Sequence, residues 1–277
     1  MTLPLVTPTW LYEKLGEDDS LVILDASIEF QIPMEPTKDN DGVIPQSQRF
    51  DYDNVFCDAS SPLPHMMPPE LIFNQLVSQL GITPTSTIVV YDNSGTFASP
   101  RAWWMLKALG LEHVYVLSGG LPAWKAHQYP VDTAFVTPQP SKLEQPVDHN
   151  RFLNSEQVLA ISNDLSRTIV DARSRARFNG EVKEPREGIR SGHIPSSVCL
   201  PFLELMRNGT LKPISELQSL FSSINDDKNT PLVFSCGSGV TACILALGAS
   251  MCGYNNLAVY DGSWTEWGQR HDLPIEC

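Results

Sequence analysis

The cysteine at position 236 precedes a short turn that could hold an anion. The segment Cys236-Gly-Ser-Gly-Val-Thr-Ala242 lies between an apolar run typical of a buried strand, Leu232 to Ser235, and an apolar helical stretch, residues 241–251. Backbone N–H groups at a strand-to-helix turn, with the positive end of the helix dipole, favour an anion. We therefore expect a reactive Cys236 thiolate, whose pKa falls from about 8.5 into the range of roughly 3.5–7.5.

The same turn could hold the outer sulfur of a persulfide formed on Cys236. Ser238 can donate a hydrogen bond to the thiolate or to a leaving oxygen, and we expect the remaining loop residues to surround the bound group: Gly237, Gly239, Val240 and Thr241. The alternative is that Cys236 is a buried residue at a strand end, a common place for free cysteine. Serine beside two glycines is also ordinary turn chemistry.

Two arginines in the charged stretch 173–190 could bind an anionic substrate. Arg177 and Arg186 carry forked guanidinium groups, which suit a planar carboxylate or an α-keto acid through paired charge-assisted hydrogen bonds. The local sequence alone supports surface ion pairing equally well.

The elements that must position these residues occur twice along the chain. Each half contains a capped helix, a strand that ends in aspartate, a Gly-x-Ile-Pro turn, an amphipathic helix, a buried strand and a Gly-x4-Trp turn. The corresponding segments are Thr7-Pro8 and Asn154-Ser155, Leu21 to Ala26 and Thr168 to Ala172, Gly42 to Pro45 and Gly192 to Pro195, Pro69 to Leu80 and Ser215 to Ile224, Thr87 to Asp92 and Pro231 to Cys236, and Gly119 to Trp124 and Gly262 to Trp267. Asp92 thus stands in the first half where Cys236 stands in the second.

The duplication predicts an α/β chain with two similar domains. Alternating strands and helices imply a mostly parallel sheet flanked by helices in each half. We place the N-terminal domain, the inactive copy, at residues 1–131 and the catalytic domain at residues 151–277. Residues 132–150 are predicted to be a linker, because this stretch contains three prolines and few large apolar residues.

Composition excludes several classes of partner. The net charge of −13 disfavours nucleic acid and anionic membrane surfaces, since both would repel the chain. No apolar run approaches the roughly 20 residues of a membrane-spanning helix. The N-terminus lacks the pattern of a signal peptide, and none of the six cysteines forms a C-x-x-C motif, so we expect reduced thiols in the cytoplasm.

The sequence also predicts that the protein needs no metal and no cofactor. No His, Cys and Asp cluster has the spacing of a metal site, and there is no Gly-Lys-Ser/Thr nucleotide loop. Five tryptophans are expected to pack in the cores: Trp103, Trp104, Trp124, Trp264 and Trp267.

At this point the chain resembles a known family. The halves are similar to tandem rhodanese domains, and the loop Cys-Gly-Ser-Gly-Val-Thr resembles that of the 3-mercaptopyruvate sulfurtransferases. The resemblance covers residues 8 to 274 and rests on six further motifs: Ser61-Pro-Leu-Pro-His65-Met, Pro100-Arg-Ala-Trp-Trp-Met105, Ala176-Arg-Phe-Asn-Gly180, Glu184-Pro-Arg186, Gly192-His-Ile-Pro195 and Tyr260-Asp-Gly-Ser-Trp264. One departure is Val43, where the family usually has histidine.

The resemblance implies a function and roles for individual residues. It implies sulfur transfer from a small anionic donor, 3-mercaptopyruvate, through a Cys236 persulfide in a cleft between the domains, with release of pyruvate. The acceptor would be a thiol, such as thioredoxin or a small dithiol, or cyanide. The resemblance implies that Arg177 and Arg186 bind the substrate. It also implies that Asp53 pairs with Ser238 and that His65 shuttles a proton.

Three alternatives remain open at this stage. A thiosulfate sulfurtransferase is the nearest, although such relatives carry basic residues directly after the cysteine, where this chain has Gly237 and Ser238. A phosphatase would need an arginine about six residues after the cysteine, where Ala242 stands. A non-catalytic binding module is the third, and the retained cysteine and the arginines argue against it.

Overall fold

The structure is a computed structural model that describes residues 3–277. The chain divides into two compact units. The first unit comprises the chain up to Ala59, Met67–Asp148 and Arg207–Leu211, and the second comprises Ser60–Met66, His149–Met206 and Lys212–Cys277. No helix among residues 3–277 has the length and apolar character needed to cross a membrane.

The first unit is built on a parallel sheet of five strands. Its elements in chain order are β1 (Leu5–Val6), α1 (Pro8–Lys14), β2 (Leu21–Asp25), β3 (Ser47–Arg49), α2 (Glu70–Gln79), β4 (Thr87–Tyr91), α3 (Ser99–Ala108), β5 (Val114–Leu117) and α4 (Gly120–Ala126). The strands lie in the order β1-β5-β4-β2-β3, and every neighbouring pair is parallel.

The second unit repeats this sheet. The elements of the second half of the chain are β6 (Phe152–Leu153), α5 (Ser155–Asp164), β7 (Thr168–Asp171), α6 (Arg175–Phe178), β8 (Val198–Cys199), a 3₁₀ turn (Phe202–Leu205), β9 (Met206–Arg207), β10 (Thr210–Leu211), α7 (Ile214–Ser222), β11 (Leu232–Ser235), α8 (Ala242–Met251), β12 (Leu257–Tyr260) and α9 (Ser263–Trp267). Of these, residues 207–211 belong to the first unit. The sheet order is β6-β12-β11-β7-β8, again with parallel neighbours. The α/β prediction of parallel sheets flanked by helices is confirmed.

The helix starts predicted from sequence use side-chain caps. The Thr7 hydroxyl accepts a hydrogen bond from the Trp10 amide at 3.2 Å, and Pro8 opens α1. In the second half Asn154 and Gln157 cap α5 reciprocally, each side chain bonding the other residue's amide. Such caps satisfy amides that have no partner inside the helix.

The two halves repeat individual contacts as well as elements. Val43 bridges Asp132 and His193 bridges Glu276, each in antiparallel pairing. The indole nitrogen of Trp124 donates to the Pro130 carbonyl at 2.7 Å, as that of Trp267 does to the Pro274 carbonyl at 2.8 Å. All five tryptophans expected in the cores are buried.

The stretch predicted as a linker packs on the first unit as far as Asp148. The Asn74 side chain on α2 bonds both the amide and the carbonyl of Gln145, at 2.9 Å each. Leu143 and Val147 are buried. A proline-rich composition therefore describes an extended segment here, held to α2 by hydrogen bonds and two apolar side chains.

Candidate active site

The loop after β4 shows what this fold does with a negative charge. One oxygen of the Asp92 carboxylate accepts hydrogen bonds from the amides of Ser94 and Gly95 at 3.2 and 2.9 Å. The other accepts from the amides of Phe97, Ala98 and Ser99 at 3.1, 3.0 and 2.8 Å. The hydroxyls of Ser94 and Ser99 add bonds of 3.0 and 2.7 Å.

Asp92 is therefore an anion enclosed by the loop that follows it. Five amides and two hydroxyls surround a side chain that is fully buried. Backbone donors aimed at one point favour an anion there. We call this arrangement of loop amides the amide cradle.

The loop after β11 has the same frame around Cys236. The Trp264 amide donates to the Cys236 carbonyl at 3.0 Å, as the Leu121 amide does to the Asp92 carbonyl at 2.9 Å. The third residue after each has positive φ, Gly95 at 141° and Gly239 at 77°. In register, Ser238 therefore corresponds to Ser94, and Thr241 and Ala242 correspond to Phe97 and Ala98.

Cys236 stands at the register position of Asp92, at the start of the corresponding loop. Cys236 is 1% exposed. Within residues 3–277, the amides of Gly237, Ser238 and Thr241 donate no backbone hydrogen bond. Two donors of the first unit, the amides of Ser94 and Phe97, therefore have counterparts in Ser238 and Thr241 that are available to a charged group at Cys236. The Cys243 amide, the counterpart of that of Ser99, instead donates to the Val240 carbonyl at 3.1 Å.

Only one residue of the loop is partly exposed. Across positions 236–241 the others are buried, Ser238, Val240 and Thr241 among them, and Gly237 is intermediate. The structure therefore brings the predicted loop residues together, and it marks Gly237 as the open side of the loop.

Arg177 lies at this open side. A Cβ atom at Gly237 would lie 3.5 Å from Nη2 of Arg177. The guanidinium is held by the Glu184 carboxylate, which accepts from Nε at 3.1 Å and from Nη2. The Arg177 side chain is 19% exposed, whereas that of Glu184 is 2% exposed.

Arg173 connects the same carboxylate to the sheet. Its Nη1 donates to Glu184 at 2.9 Å, and its Nε and Nη2 bind Asp171 at the end of β7. The guanidinium also lies over the Trp264 ring, 4.3 Å from its centre. Burial alone would lower the pKa of Arg173, but the charges of Asp171 and Glu184 raise it above its ordinary value. Arg173 is thus a buried structural cation.

Arg186 is linked to the loop through Thr265. Its Nη1 donates to the Thr265 hydroxyl at 2.7 Å, and this hydroxyl donates to the Gly237 carbonyl at 2.6 Å. The Thr265 amide donates to the same carbonyl at 2.8 Å. Both predicted clamp arginines therefore converge on Gly237.

His65 and Asp53 fall in different units. His65 belongs to the compact unit that contains Cys236, is 4% exposed, and has a φ of 60°. Asp53 belongs to the first unit, where its amide donates to Asp51 at 3.0 Å. The pairing of Asp53 with Ser238 and the proton shuttle by His65 stay predictions.

Sequence reasoning missed three residues of this site. Glu184 and Thr265 hold the two arginines, and the Ser263 hydroxyl accepts from the Cys236 amide at 3.1 Å while it donates to the Tyr260 carbonyl at 2.8 Å. The available signals were the Glu-Pro-Arg and Asp-Gly-Ser-Trp motifs. These motifs indicate that the residues matter, but they do not show which atoms meet.

Two other cysteines should stay protonated at neutral pH. Burial raises the pKa of Cys199 to about 12 and that of Cys252 to about 11. We expect iodoacetamide at pH 8 to label the exposed Cys277 and to leave Cys199 and Cys252 unmodified, because alkylation requires the thiolate. Peptide mass spectrometry checks this, with the urea-unfolded protein as the fully labelled control. Labelling of Cys199 as fast as Cys277 would contradict it.

The same raised pKa values predict a loss of stability in alkaline solution. Above pH 9 the unfolded chain releases thiol protons that the folded chain retains, so the free energy of unfolding falls as pH rises towards about 11 to 12. Urea midpoints measured at pH 8 and pH 10 should therefore be lower at pH 10, and the double variant Cys199→Ala/Cys252→Ala should show a smaller decrease. An equal decrease in both proteins would contradict this assignment.

Comparison with known proteins agrees with the duplicated fold and with the cysteine loop of the second half. A family model described as a rhodanese-like domain matches residues 7–127 and 154–270. The thiosulfate/3-mercaptopyruvate sulfurtransferase 1 of Arabidopsis thaliana, a mitochondrial protein, is 39% identical over 299 residues, which cover 99% of this chain and 78% of the relative. The 3-mercaptopyruvate sulfurtransferase of Escherichia coli K12 is 36% identical over 275 residues, with 96% and 95% covered.

A solved structure extends the likeness to three dimensions. The crystal structure of SseA from Escherichia coli, a 3-mercaptopyruvate sulfotransferase with the rhodanese fold, matches with a TM-score of 0.82 and 34% identity, covering 95% of this chain and 99% of the other. With both halves of the chain matched and two parallel sheets of the same order, this protein belongs to the rhodanese family and contains two rhodanese-like domains.

Proposed function

We propose that this protein is a 3-mercaptopyruvate sulfurtransferase that carries sulfur as a persulfide on Cys236. The observation that carries the proposal is the amide cradle. The first copy encloses a carboxylate with its loop amides, and the second copy places a thiol at the same register. The carboxylate oxygen of Asp92 and the outer sulfur of a cysteine persulfide are both three bonds from Cα, so the loop that binds one anion can bind the other.

In the first step the Cys236 thiolate attacks the sulfur of mercaptopyruvate. The new bond joins the two sulfur atoms, and the bond between sulfur and the donor methylene breaks. Its electron pair leaves on the pyruvate enolate, which takes a proton to become pyruvate. The amide cradle stabilises the negative charge on the sulfur that remains, as a fixed set of donors stabilises charge in other active sites.

In the second step an acceptor attacks the outer sulfur, and Cys236 leaves as a thiolate. A thiol acceptor takes the sulfur as its own persulfide, and cyanide takes it as thiocyanate. Thioredoxin or a small dithiol fits this chemistry, since its second thiol can displace the sulfur as hydrosulfide and close a disulfide. In this proposal Ser238 donates to the reacting sulfur, His65 supplies or removes the proton, and Asp53 pairs with Ser238.

Arg177 and Arg186 bind the carboxylate and keto oxygens of the donor. Arg177 lies beside Gly237, the partly exposed residue next to the reactive cysteine, and Arg186 is linked to the Gly237 carbonyl through the Thr265 hydroxyl. In a chain with a net charge of −13, these guanidinium groups supply the local positive charge that an anionic donor needs. Six free thiols favour a reducing compartment, and a cytoplasmic location is part of this proposal.

A comparison of donors tests the substrate. We expect mercaptopyruvate to give a kcat/KM at least about tenfold above that of thiosulfate, because two forked guanidinium groups match a planar α-keto acid better than a tetrahedral dianion. Thiocyanate formation from cyanide measures both donors in one assay. A larger kcat/KM for thiosulfate would identify a thiosulfate sulfurtransferase, and turnover of neither donor would support a non-catalytic module.

A further inference from the structure

Both substrate-binding arginines are held at the cysteine loop by residues with no assigned role. Glu184 binds Arg177 through two nitrogens, and Thr265 links Arg186 to the Gly237 carbonyl. Resting on the proposed function, we propose that Glu184 and Thr265 are positioning residues that fix the two guanidinium groups on either side of the donor. Neither residue needs to touch the donor itself.

The hydrogen bonds of Arg177 show how Glu184 orients it. Its Nε and Nη2 are engaged by the carboxylate, and among residues 3–277 its Nη1 makes no hydrogen bond. A Cβ atom at Gly237 would lie 3.5 Å from Nη2 and 4.0 Å from Nη1, so the unbonded Nη1 also lies beside the partly exposed residue of the loop. A guanidinium fixed in this way loses little freedom when it binds a donor carboxylate.

Glu184 is itself fixed and cannot follow the donor. Arg173 binds it at 2.9 Å and is locked in turn by Asp171 and by the Gly192 carbonyl at 2.8 Å. Within this cluster the two carboxylates balance the two guanidinium charges. The site therefore directs the Arg177 guanidinium towards the substrate without an excess of buried charge.

Thr265 positions Arg186 as Glu184 positions Arg177. Its side chain is buried, and its hydroxyl accepts from Arg186 while it donates to the Gly237 carbonyl. Arg186 makes no ion pair with a carboxylate in the described part of the chain. Its charge is thus available to the donor, and within residues 3–277 its hydrogen-bond partner is the uncharged Thr265 hydroxyl on α9.

Steady-state kinetics separates this role from a purely electrostatic one. We expect Glu184→Gln to raise the KM for mercaptopyruvate about tenfold with a smaller change in kcat, because glutamine directs an amide at Arg177 where a carboxylate accepted two bonds. If Glu184 mattered only as a charge, its removal would leave the site more positive and would lower the KM for an anionic donor. Glu187→Gln, an exposed change in the same loop, is the matched control.

A pair of variants at Thr265 tests the part of the inference that concerns Arg186. Thr265→Val keeps the shape and removes the hydroxyl, so we expect KM to rise several-fold, whereas Thr265→Ser keeps the hydroxyl and should restore it. A KM unchanged or lowered in both Glu184→Gln and Thr265→Val would overturn the inference while the wild-type protein still transfers sulfur. Should Glu184→Gln not fold, the threonine pair alone decides. Absence of transfer in the wild-type protein would instead refute the proposed function.

Discussion

Replacing Cys236 with serine is expected to reduce sulfur transfer by about ten-thousandfold or more, the usual size of the loss when a nucleophile is removed. A serine hydroxyl has nearly the same shape, but it forms no stable bond to a sulfane sulfur. The amide cradle would remain intact, so the variant should fold and should still bind the donor. Turnover and donor binding, measured on the same preparation, check this prediction.

The control for this variant is Cys277→Ser, which removes the exposed thiol. It should keep wild-type turnover. If Cys236→Ser retained more than a small fraction of the activity, or if Cys277→Ser lost it, the sulfur carrier would be a different residue.

Replacing Asp92 with alanine should destabilise the first unit by at least about 3 kcal/mol, since each buried donor left without a partner costs roughly 1–3 kcal/mol. Asp92 is fully buried and satisfies five amides and two hydroxyls. Asp92→Asn should cost less, because one oxygen still accepts. The free energy of unfolding in urea gives the values.

The matched control is Asp19→Ala, which removes the same charge from an exposed position. It should change stability by less than about 0.5 kcal/mol. Equal midpoints for Asp92→Ala and Asp19→Ala would show that the loop amides do not depend on an enclosed anion, and this would weaken the parallel with Cys236.

The fold could be predicted from sequence because its signals are local and occur twice. The caps at Thr7 and Asn154, the strands that end at Asp25 and Asp171, and the paired turns all lie where the pattern placed them. Each half supplies an independent copy of the same local preferences. Agreement between the copies supports a fold prediction that either half alone would leave open.

The boundaries of the units could not be read in this way. Residues 60–66 belong to the second unit and residues 207–211 to the first, although each segment lies within the other half of the sequence. Composition gives no sign of this, because the exchange depends on where two short segments pack and not on their own preferences. Tertiary packing likewise holds residues 141–148 on the first unit, despite their linker-like prolines.

The anion-binding character of the cysteine loop was predictable, but the residues that hold the loop and its arginines in place were not. A cysteine followed by glycines between a strand and a helix indicates an anion site, and the repeat placed Asp92 opposite it. Thr265 binds Arg186 and Ser263 binds the Cys236 amide across long stretches of sequence, and Glu184 binds two arginines that lie on the other side of a turn. A one-dimensional pattern carries no distance between such groups, so their roles emerge only from the structure.

The most direct test of the amide cradle is a crystal structure of the protein after reaction with mercaptopyruvate. We predict additional density for one sulfur atom on Cys236, within hydrogen-bonding distance of the amides that correspond to those around Asp92: Ser238, Gly239, Thr241 and Ala242. Density for that sulfur on another cysteine, or on Cys236 but directed away from these amides, would contradict the account.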